Sequence, residues 1–186
     1  TLSLGGGTNI YSWSYSVGTG ADRMLVVAVT TESNPDRTVT SVTFGAQALT
    51  KVTGARAVNG ATTANASDLW YLPAPAVGSA TITVTLSGNV SAGFVAAAVS
   101  LFGAVQGPPE AVTNYNAGGG GTYSAAITPL TDGAWLVDAV NNSTVGSTFT
   151  PVDPNQILRW TESGVNHSAA GSTLAFCTSF WLPTCS

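Results

Sequence analysis

The sequence predicts an all-β fold, a β-sandwich of jelly-roll type with about ten or eleven short antiparallel strands. Charged residues make up only 8% of the chain, against about 25% in an average soluble domain. Neutral polar residues that suit strands and turns replace them. Apolar and polar residues alternate in short runs separated by Gly, Pro, Asn and Asp, and no run carries a helical stripe. The 186 residues suit a single domain over residues 1–186.

The predicted strands differ in how many of their faces are apolar. Tyr11, Trp13 and Tyr15 alternate with serines, which predicts a strand with one aromatic face. Residues 24–29 are almost all apolar, which predicts a strand buried on both faces. Residues 53–66 are small and polar and predict a loop. Further strands are predicted at residues 39–44, 48–52, 68–72, 80–86, 93–102, 123–128, 134–141, 156–161 and 174–181.

The first nine residues, 1–9, form a separate candidate element. Thr1, Leu2, Ser3 and Leu4 alternate and predict an extended strand, and residues 5–7 are a glycine hinge. Such a strand can fold back onto its own sheet, or it can pair with the sheet edge of a neighbouring copy. The second arrangement would build a filament, whereas a self-paired or frayed terminus is the more ordinary outcome.

The two cysteines, Cys177 and Cys185, lie close together near the C-terminal end. In an oxidising compartment they could close a small loop as a disulfide, and the composition of a secreted protein favours that interpretation over two free thiols. Two cysteines and one histidine do not supply a structural zinc site of the usual four ligands.

The charge pattern excludes two classes of partner. The net charge is −4, and the five basic residues are scattered rather than clustered. Nucleic-acid binding and attraction to anionic lipid both need a basic patch, so we expect neither partner. The longest apolar runs are far shorter than the roughly 20 residues that a membrane-spanning helix needs, so we also expect no membrane insertion.

No catalytic residues are predicted, and we expect that the chain is not an enzyme. His167 is the only histidine, and no Gly-x-Ser-x-Gly motif accompanies it. It lies among small polar residues, so we interpret it as a solvated loop histidine. Asp138 interrupts an apolar run, and we expect it to face solvent because buried acids are rare.

Calcium is the one cofactor candidate, since Glu32, Asn34 and Asp36 are close together in the chain. Oxygen ligands on sandwich loops can hold this ion. Asn-Pro-Asp is also an ordinary turn sequence, and we favour the turn. The aromatic row of Tyr11, Trp13 and Tyr15 could in principle stack on sugars, but such rows are more often part of a core.

Several segments resemble a recurring bacterial extracellular β-sandwich module. Residues 22–29, DRMLVVAV, are similar to its NRLLVVGV strand, and residues 39–52, VTSVTFGAQALTKV, resemble its VTSVTYGGQALTKV hairpin. Residues 69–86 resemble its WYL segment with the following prolines and alternating strand. The likeness covers roughly residues 10–106. It implies an extracellular scaffold or adhesin and supplies no catalytic residues.

These observations together predict an extracellular or cell-surface protein with a structural or adhesive role. It could be a subunit of a surface filament assembled by β-strand contacts, with other copies of itself or surface glycans as partners. The chain begins at Thr1 rather than Met, as expected after signal-peptide removal, although an arbitrary boundary would look the same. A carbohydrate-binding module and a virion or phage surface protein are the alternatives.

Overall fold

A computed structural model describes residues 1–60, 62–116 and 121–175. This part of the chain contains fourteen strands and no helix, and all strand pairs are antiparallel. The all-β prediction is therefore confirmed. The strands are β1 (Leu2–Gly5), β2 (Ile10–Val17), β3 (Met24–Ser33), β4 (Val39–Phe44), β5 (Gln47–Ala48), β6 (Thr50–Lys51), β7 (Ala57–Asn59), β8 (Ala64–Pro73), β9 (Gly78–Leu86), β10 (Gly93–Leu101), β11 (Trp135–Val137), β12 (Val140–Asn142), β13 (Ile157–Ser163) and β14 (Ser168–Ala175).

The strands form three sheets. Sheet A has the order β1-β10-β3-β8-β6, and β7 also pairs with β8. Sheet B has the order β2-β9-β4-β5. Sheet C has the order β11-β14-β12, and β13 also pairs with β14.

Sheets A and B enclose the main hydrophobic core. Side chains alternate along each strand, so every second residue of β2, β4 and β9 meets every second residue of β3, β8 and β10. The rings of Tyr11 and Phe94 stack across the layer, with centroids 3.7 Å apart and planes 2° from parallel. The buried members of this core are Tyr11, Val17, Leu25, Val27, Val29, Val39, Val42, Phe44, Leu49, Trp70, Leu72, Ile82, Val84, Leu86, Val90, Phe94 and Ala96.

Sheet C packs on the opposite face of sheet A. Val26 and Ala28 of β3 line a narrow gap together with Trp160 and Gly171 of sheet C. The central strand β3 is thus covered on both faces, which confirms the prediction made from its apolar run. The sheet C residues buried at this contact are mostly small or polar, namely Ser168, Ala169, Ala170, Ser172 and Thr173.

The predicted count of ten or eleven strands is wrong, because the described residues form fourteen. The difference comes from pieces of two or three residues (β5, β6, β7, β11 and β12). Such short strands are defined by their backbone hydrogen bonds. They contain too few residues to show an alternation of apolar and polar side chains in the sequence. The predicted loop at 53–66 contains β7 and the start of β8. The predicted strand at 123–128 does not form, since alternation alone supplies no neighbouring strand.

The N-terminal strand β1 pairs with β10 of the same chain. Leu2 lies opposite Ala96 and Leu4 opposite Phe94 in this ladder. Of the two arrangements that the sequence allows, the single chain has the self-paired one, and exchange between copies stays a prediction. Cys177 and Cys185 lie outside the described residues.

Candidate functional site

The outer surface of sheet B carries mainly hydroxyl groups, and we call it the hydroxyl face. Its inward residues pack in the core, so the alternate residues point outward. Ser12 lies opposite Thr83, which lies opposite Thr43, and the Ser12 and Thr83 hydroxyls are 3.1 Å apart. The strands β2, β4, β5 and β9 contain no charged residue. The hydroxyl face consists of Ser12, Ser14, Ser16, Ser41, Thr43, Ser79, Thr81, Thr83 and Thr85.

The aromatic row considered for sugar stacking faces the core instead. Tyr11 is buried, and Trp13 and Tyr15 pack against the buried cluster from its rim. Trp70 is buried in the same layer. These four rings therefore stabilise the A–B contact and are not displayed to a ligand.

The segment joining β1 to β2 packs closely against the loop between β9 and β10. The Gly6 and Gly7 amides donate to the carbonyls of Ala92 and Val90, at 3.0 and 2.7 Å. A Cβ atom at Gly6 would lie 2.3 Å from the Val90 carbonyl oxygen, so only glycine fits there. The hinge is a fitted element of the self-paired arrangement.

The three calcium candidates have different partners in the structure. Both Asp36 carboxylate oxygens accept from Arg56 Nη2, at 2.9 and 3.0 Å. The backbone N–H of Asn34 donates to Ser91 Oγ at 2.8 Å. Glu32 belongs to β3 and faces the contact with sheet C, in register with Gly93 and Asn65. A calcium site built on this loop stays a prediction, and Asp36 would have to release a cation to join it.

Among the described residues, Asp68 is the one acid buried in the A–B layer, with 2% of its surface exposed. Lys51 Nζ lies 2.7 Å from Oδ1 of Asp68, and Arg56 Nε donates to Oδ2 at 3.2 Å. Because Arg56 also holds Asp36, two cations and two carboxylates balance at the edge of the core. This network gives Lys51 and Arg56 a structural role.

His167 is completely buried between sheets A and C, so its interpretation as a solvated loop residue is wrong. The ring fits because β10 has glycine below it: a Cβ atom at Gly93 would lie 2.6 Å from Nδ1. Nε2 lies 3.2 Å from Thr30 Oγ1. Burial lowers the His167 pKa to about 4, so the ring is neutral at pH 7.

The hydrogen bonds around Thr30 determine the tautomer of His167. The Thr30 hydroxyl donates its proton to the Val95 carbonyl at 3.1 Å. A hydroxyl has one proton, so in this arrangement Thr30 Oγ1 accepts from His167, which places the imidazole proton on Nε2. Nδ1 therefore carries a lone pair, and this buried atom has no hydrogen-bond partner.

Three more buried acceptors without hydrogen-bond partners lie on this side of sheet A: Glu32 Oε2, Asn65 Oδ1 and Asn141 Oδ1. With His167 Nδ1 they form what we call the acceptor cluster. Burial raises the pKa of Glu32. No sequence pattern indicates this grouping, because residues so far apart in the chain meet only through strand register.

Asp138 directly follows β11 and is exposed, as the sequence predicts. Its carboxylate accepts from the Ser172 amide at 2.7 Å, from the Ser172 hydroxyl at 2.6 Å and from the Gln156 side chain at 2.7 Å. These bonds tie β11 and the segment before β13 to β14, which gives Asp138 a structural role within sheet C.

No family model, curated protein or solved structure matches the chain. Within the described ranges, no helix is long and apolar enough to cross a membrane. Across the same residues, His, Cys, Asp and Glu side chains nowhere gather in a group of three or more that could hold a metal. The acceptor cluster contains only two residues of these types, Glu32 and His167, and its other two atoms belong to asparagines.

Proposed function

We propose that this protein is an extracellular structural or adhesive protein whose hydroxyl face makes contact with other copies of the chain. The observation that carries the proposal is the absence of charge on the four strands of sheet B. A charged group is far costlier to remove from water than a hydroxyl. Each hydroxyl group both donates and accepts hydrogen bonds, so two such faces can bind each other without bringing like charges together.

The finer topology that we propose is the jelly roll within a single domain. The long strands alternate between two sheets along the chain: β2 in sheet B, β3 in A, β4 in B, β8 in A, β9 in B and β10 in A. That alternation supports a jelly roll.

The resemblance to a bacterial surface module supports an extracellular location. A disulfide between Cys177 and Cys185 belongs to the same proposal.

The N-terminal strand is the second element of the proposed assembly. Thr1, Leu2, Ser3 and Leu4 occupy the β10 edge through backbone pairing, which depends little on side chains. The same edge in a second copy would offer the same hydrogen bonds. Exchange would therefore join copies without requiring a new binding surface.

We propose that the protein is not an enzyme. Its only histidine, His167, is buried away from solvent, and the lowered pKa keeps the ring neutral at pH 7. The carbohydrate-binding alternative is less well supported, since Tyr11 is buried in the core and Trp13 and Tyr15 pack against it. The virion or phage alternative gains no specific support from the fold, because one fold serves many functions.

Negative-stain electron microscopy of unheated protein tests the proposal. We expect ordered assemblies of the unaltered chain, and we expect Thr81→Lys to abolish them by placing a charge in the hydroxyl face. Thr161→Lys is the matched control, since Thr161 is an exposed strand threonine of sheet C. Monodisperse particles of the unaltered chain at every concentration would overturn self-assembly. Assemblies that survive Thr81→Lys would overturn the role of the hydroxyl face.

A version lacking residues 1–7 separates the two assembly elements. If strand exchange joins the copies, the truncated chain stays monomeric, and a synthetic peptide of residues 1–7 binds its open β10 edge. If the hydroxyl face alone joins them, the truncated chain still assembles. Assembly of the truncated chain would therefore remove strand exchange from the proposal.

A further inference from the structure

Strand register brings Glu32 and Asn65 together on the face of sheet A that packs against sheet C, where Asn141 and His167 also lie. Gly93, Glu32 and Asn65 face one another in a single row across β10, β3 and β8. Neighbouring strands are about 4.8 Å apart. The Glu32 side chain therefore projects between the position of Asn65 and the position over Gly93 that His167 Nδ1 occupies.

Asn141 reaches the same patch from sheet C. Its Nδ2 donates to the carbonyls of Thr31 and Ala66, at 3.3 and 3.2 Å. Thr31 and Ala66 pair with each other, and their own side chains are buried toward sheet B. Asn141 therefore lies over the row next to Glu32 and Asn65. Because both of its amide protons point at carbonyls, its Oδ1 is fixed as a free acceptor.

All four atoms of the cluster are acceptors, and no basic side chain serves them. The five basic residues of the chain are engaged elsewhere: Lys51 and Arg56 with Asp68, Arg23 with Gly20 and Pro75, Arg37 with Asn89, and Arg159 with Thr173. A single water donates only two hydrogen bonds. A proton shared by Glu32 and His167 would leave both amide oxygens unsatisfied. Burying an acceptor without a donor costs free energy of folding, and one bound cation would satisfy all four acceptors.

We propose that Glu32, Asn65, Asn141 and His167 form a binding site for one divalent cation between sheets A and C. The donors are one imidazole nitrogen, one carboxylate oxygen and two amide oxygens. Imidazole suits zinc and its neighbours, whereas carboxylate and carbonyl oxygens suit manganese, magnesium and calcium. The imidazole nitrogen favours transition-metal ions over alkaline-earth ions, so Mn²⁺ and Zn²⁺ bind more tightly than Ca²⁺ or Mg²⁺.

Thr30 takes the positioning role that such a site needs. A metal-binding histidine usually donates its other ring N–H to a protein acceptor, which fixes the ring and its tautomer. His167 donates Nε2–H to Thr30 Oγ1, and that hydroxyl is itself anchored on Val95. The lone pair of Nδ1 is therefore held toward the Gly93–Glu32 row before any ion arrives.

Calorimetric titration of the full chain, stripped with EDTA and then dialysed, tests the site. With MnCl₂ or ZnCl₂ we expect saturable binding of one ion per chain, and with CaCl₂ binding at least about tenfold weaker. The absence of saturable binding for both manganese and zinc would overturn the proposal. A preference for calcium would overturn the assigned role of the imidazole nitrogen.

Three variants locate the ion. Asn65→Ala removes a ligand and should weaken Mn²⁺ binding about tenfold, whereas Asn65→Asp adds a negative charge and should strengthen it by a similar factor. Asp36→Asn is the control, since Asp36 belongs to the alternative loop site with Glu32 and Asn34. Loss of binding in Asp36→Asn, with Asn65→Ala unchanged, would place the ion in the loop and overturn the proposal.

The role of His167 is tested without altering it, because a substitution at a fully buried position can prevent folding. Electron spin echo spectroscopy of the Mn²⁺-loaded chain detects nitrogen bound directly to the ion. We expect one imidazole nitrogen coupling, and Thr30→Val should change it by releasing the ring. A spectrum that shows only oxygen ligands would exclude His167 from the site.

Discussion

Sheet A meets two different environments, one on each face. Toward sheet B it presents large apolar side chains such as Leu25 and Phe94, and the layer closes around stacked rings. Toward sheet C it presents smaller side chains such as Val26, Ala28 and Thr30. The facing residues are a mixture of apolar and polar ones, among them Trp160, Ser172 and Thr173. Apolar area removed from water contributes roughly 25 cal/mol per Å². The A–B layer therefore supplies most of the hydrophobic stability, whereas the A–C layer has smaller side chains and depends more on buried polar groups such as Thr30 and His167.

The difference also separates what each layer tolerates. An apolar layer accepts another apolar side chain of similar volume at small cost. A polar layer fails when one partner of a hydrogen bond is removed, because the other is left buried and unpaired. Substitutions of similar size should thus have different consequences on the two faces of the same strand.

The largest effect is expected from Phe94→Ala in the A–B layer. Phe94 is fully buried and stacks on Tyr11, so truncation removes a ring and leaves a cavity. We expect a loss of about 3–5 kcal/mol in the free energy of unfolding, measured by urea denaturation. Phe94→Leu is the control and should cost less. Equal costs for the two variants would show that packing in this layer is loose.

Acid should destabilise the A–C layer through His167. Its pKa is about 4 in the folded chain against 6.5 for the free side chain, so the folded state resists protonation. The contribution of the neutral His167 ring to the free energy of unfolding is complete above pH 6.5 and is lost as the pH falls toward 4. The loss is about 3 kcal/mol, at about 1.4 kcal/mol per pH unit.

The measurement is urea denaturation in EDTA between pH 7 and 4. Glu32 has a raised pKa and acts with the opposite sign, because its neutral form is favoured in the folded chain. Glu32→Gln removes that contribution and should therefore steepen the loss. A stability that stays flat across this range in Glu32→Gln would contradict the burial of a neutral His167.

Sequence reasoning reached the A–B layer far better than the A–C layer. The aromatic alternation of Tyr11 and Trp13 and the apolar run at 24–29 are strong local signals, and the structure places both in the core. The prediction of a solvated His167 is wrong because the burial of this ring depends on Gly93 in β10, which is far away in the chain. Glu32 and Asn65 become neighbours only once β3 and β8 are in register, which no local pattern specifies.

Thr30→Val tests the polar layer with almost no change in volume. The valine methyl replaces the hydroxyl that accepts from His167 and donates to Val95. We expect a loss of about 1–3 kcal/mol, because a buried N–H and a carbonyl each lose a partner. Thr30→Ser keeps the hydroxyl and should cost less in urea denaturation. A valine variant as stable as the unaltered chain would mean that this hydrogen bond does not hold the layer.

The smallest effect is expected where the apolar layer carries charge at its edge. Asp36→Asn removes one partner of Arg56, but Arg56 keeps Asp68, and the Asp36 side chain is 36% exposed. An exposed pair of this kind contributes about 1 kcal/mol or less. Because salt screens exposed charges, the difference from the unaltered chain should shrink further in 1 M NaCl. A cost above about 2 kcal/mol that persists in high salt would make the ion network an integral part of the A–B core, and the contrast between an apolar and a polar layer would then need revision.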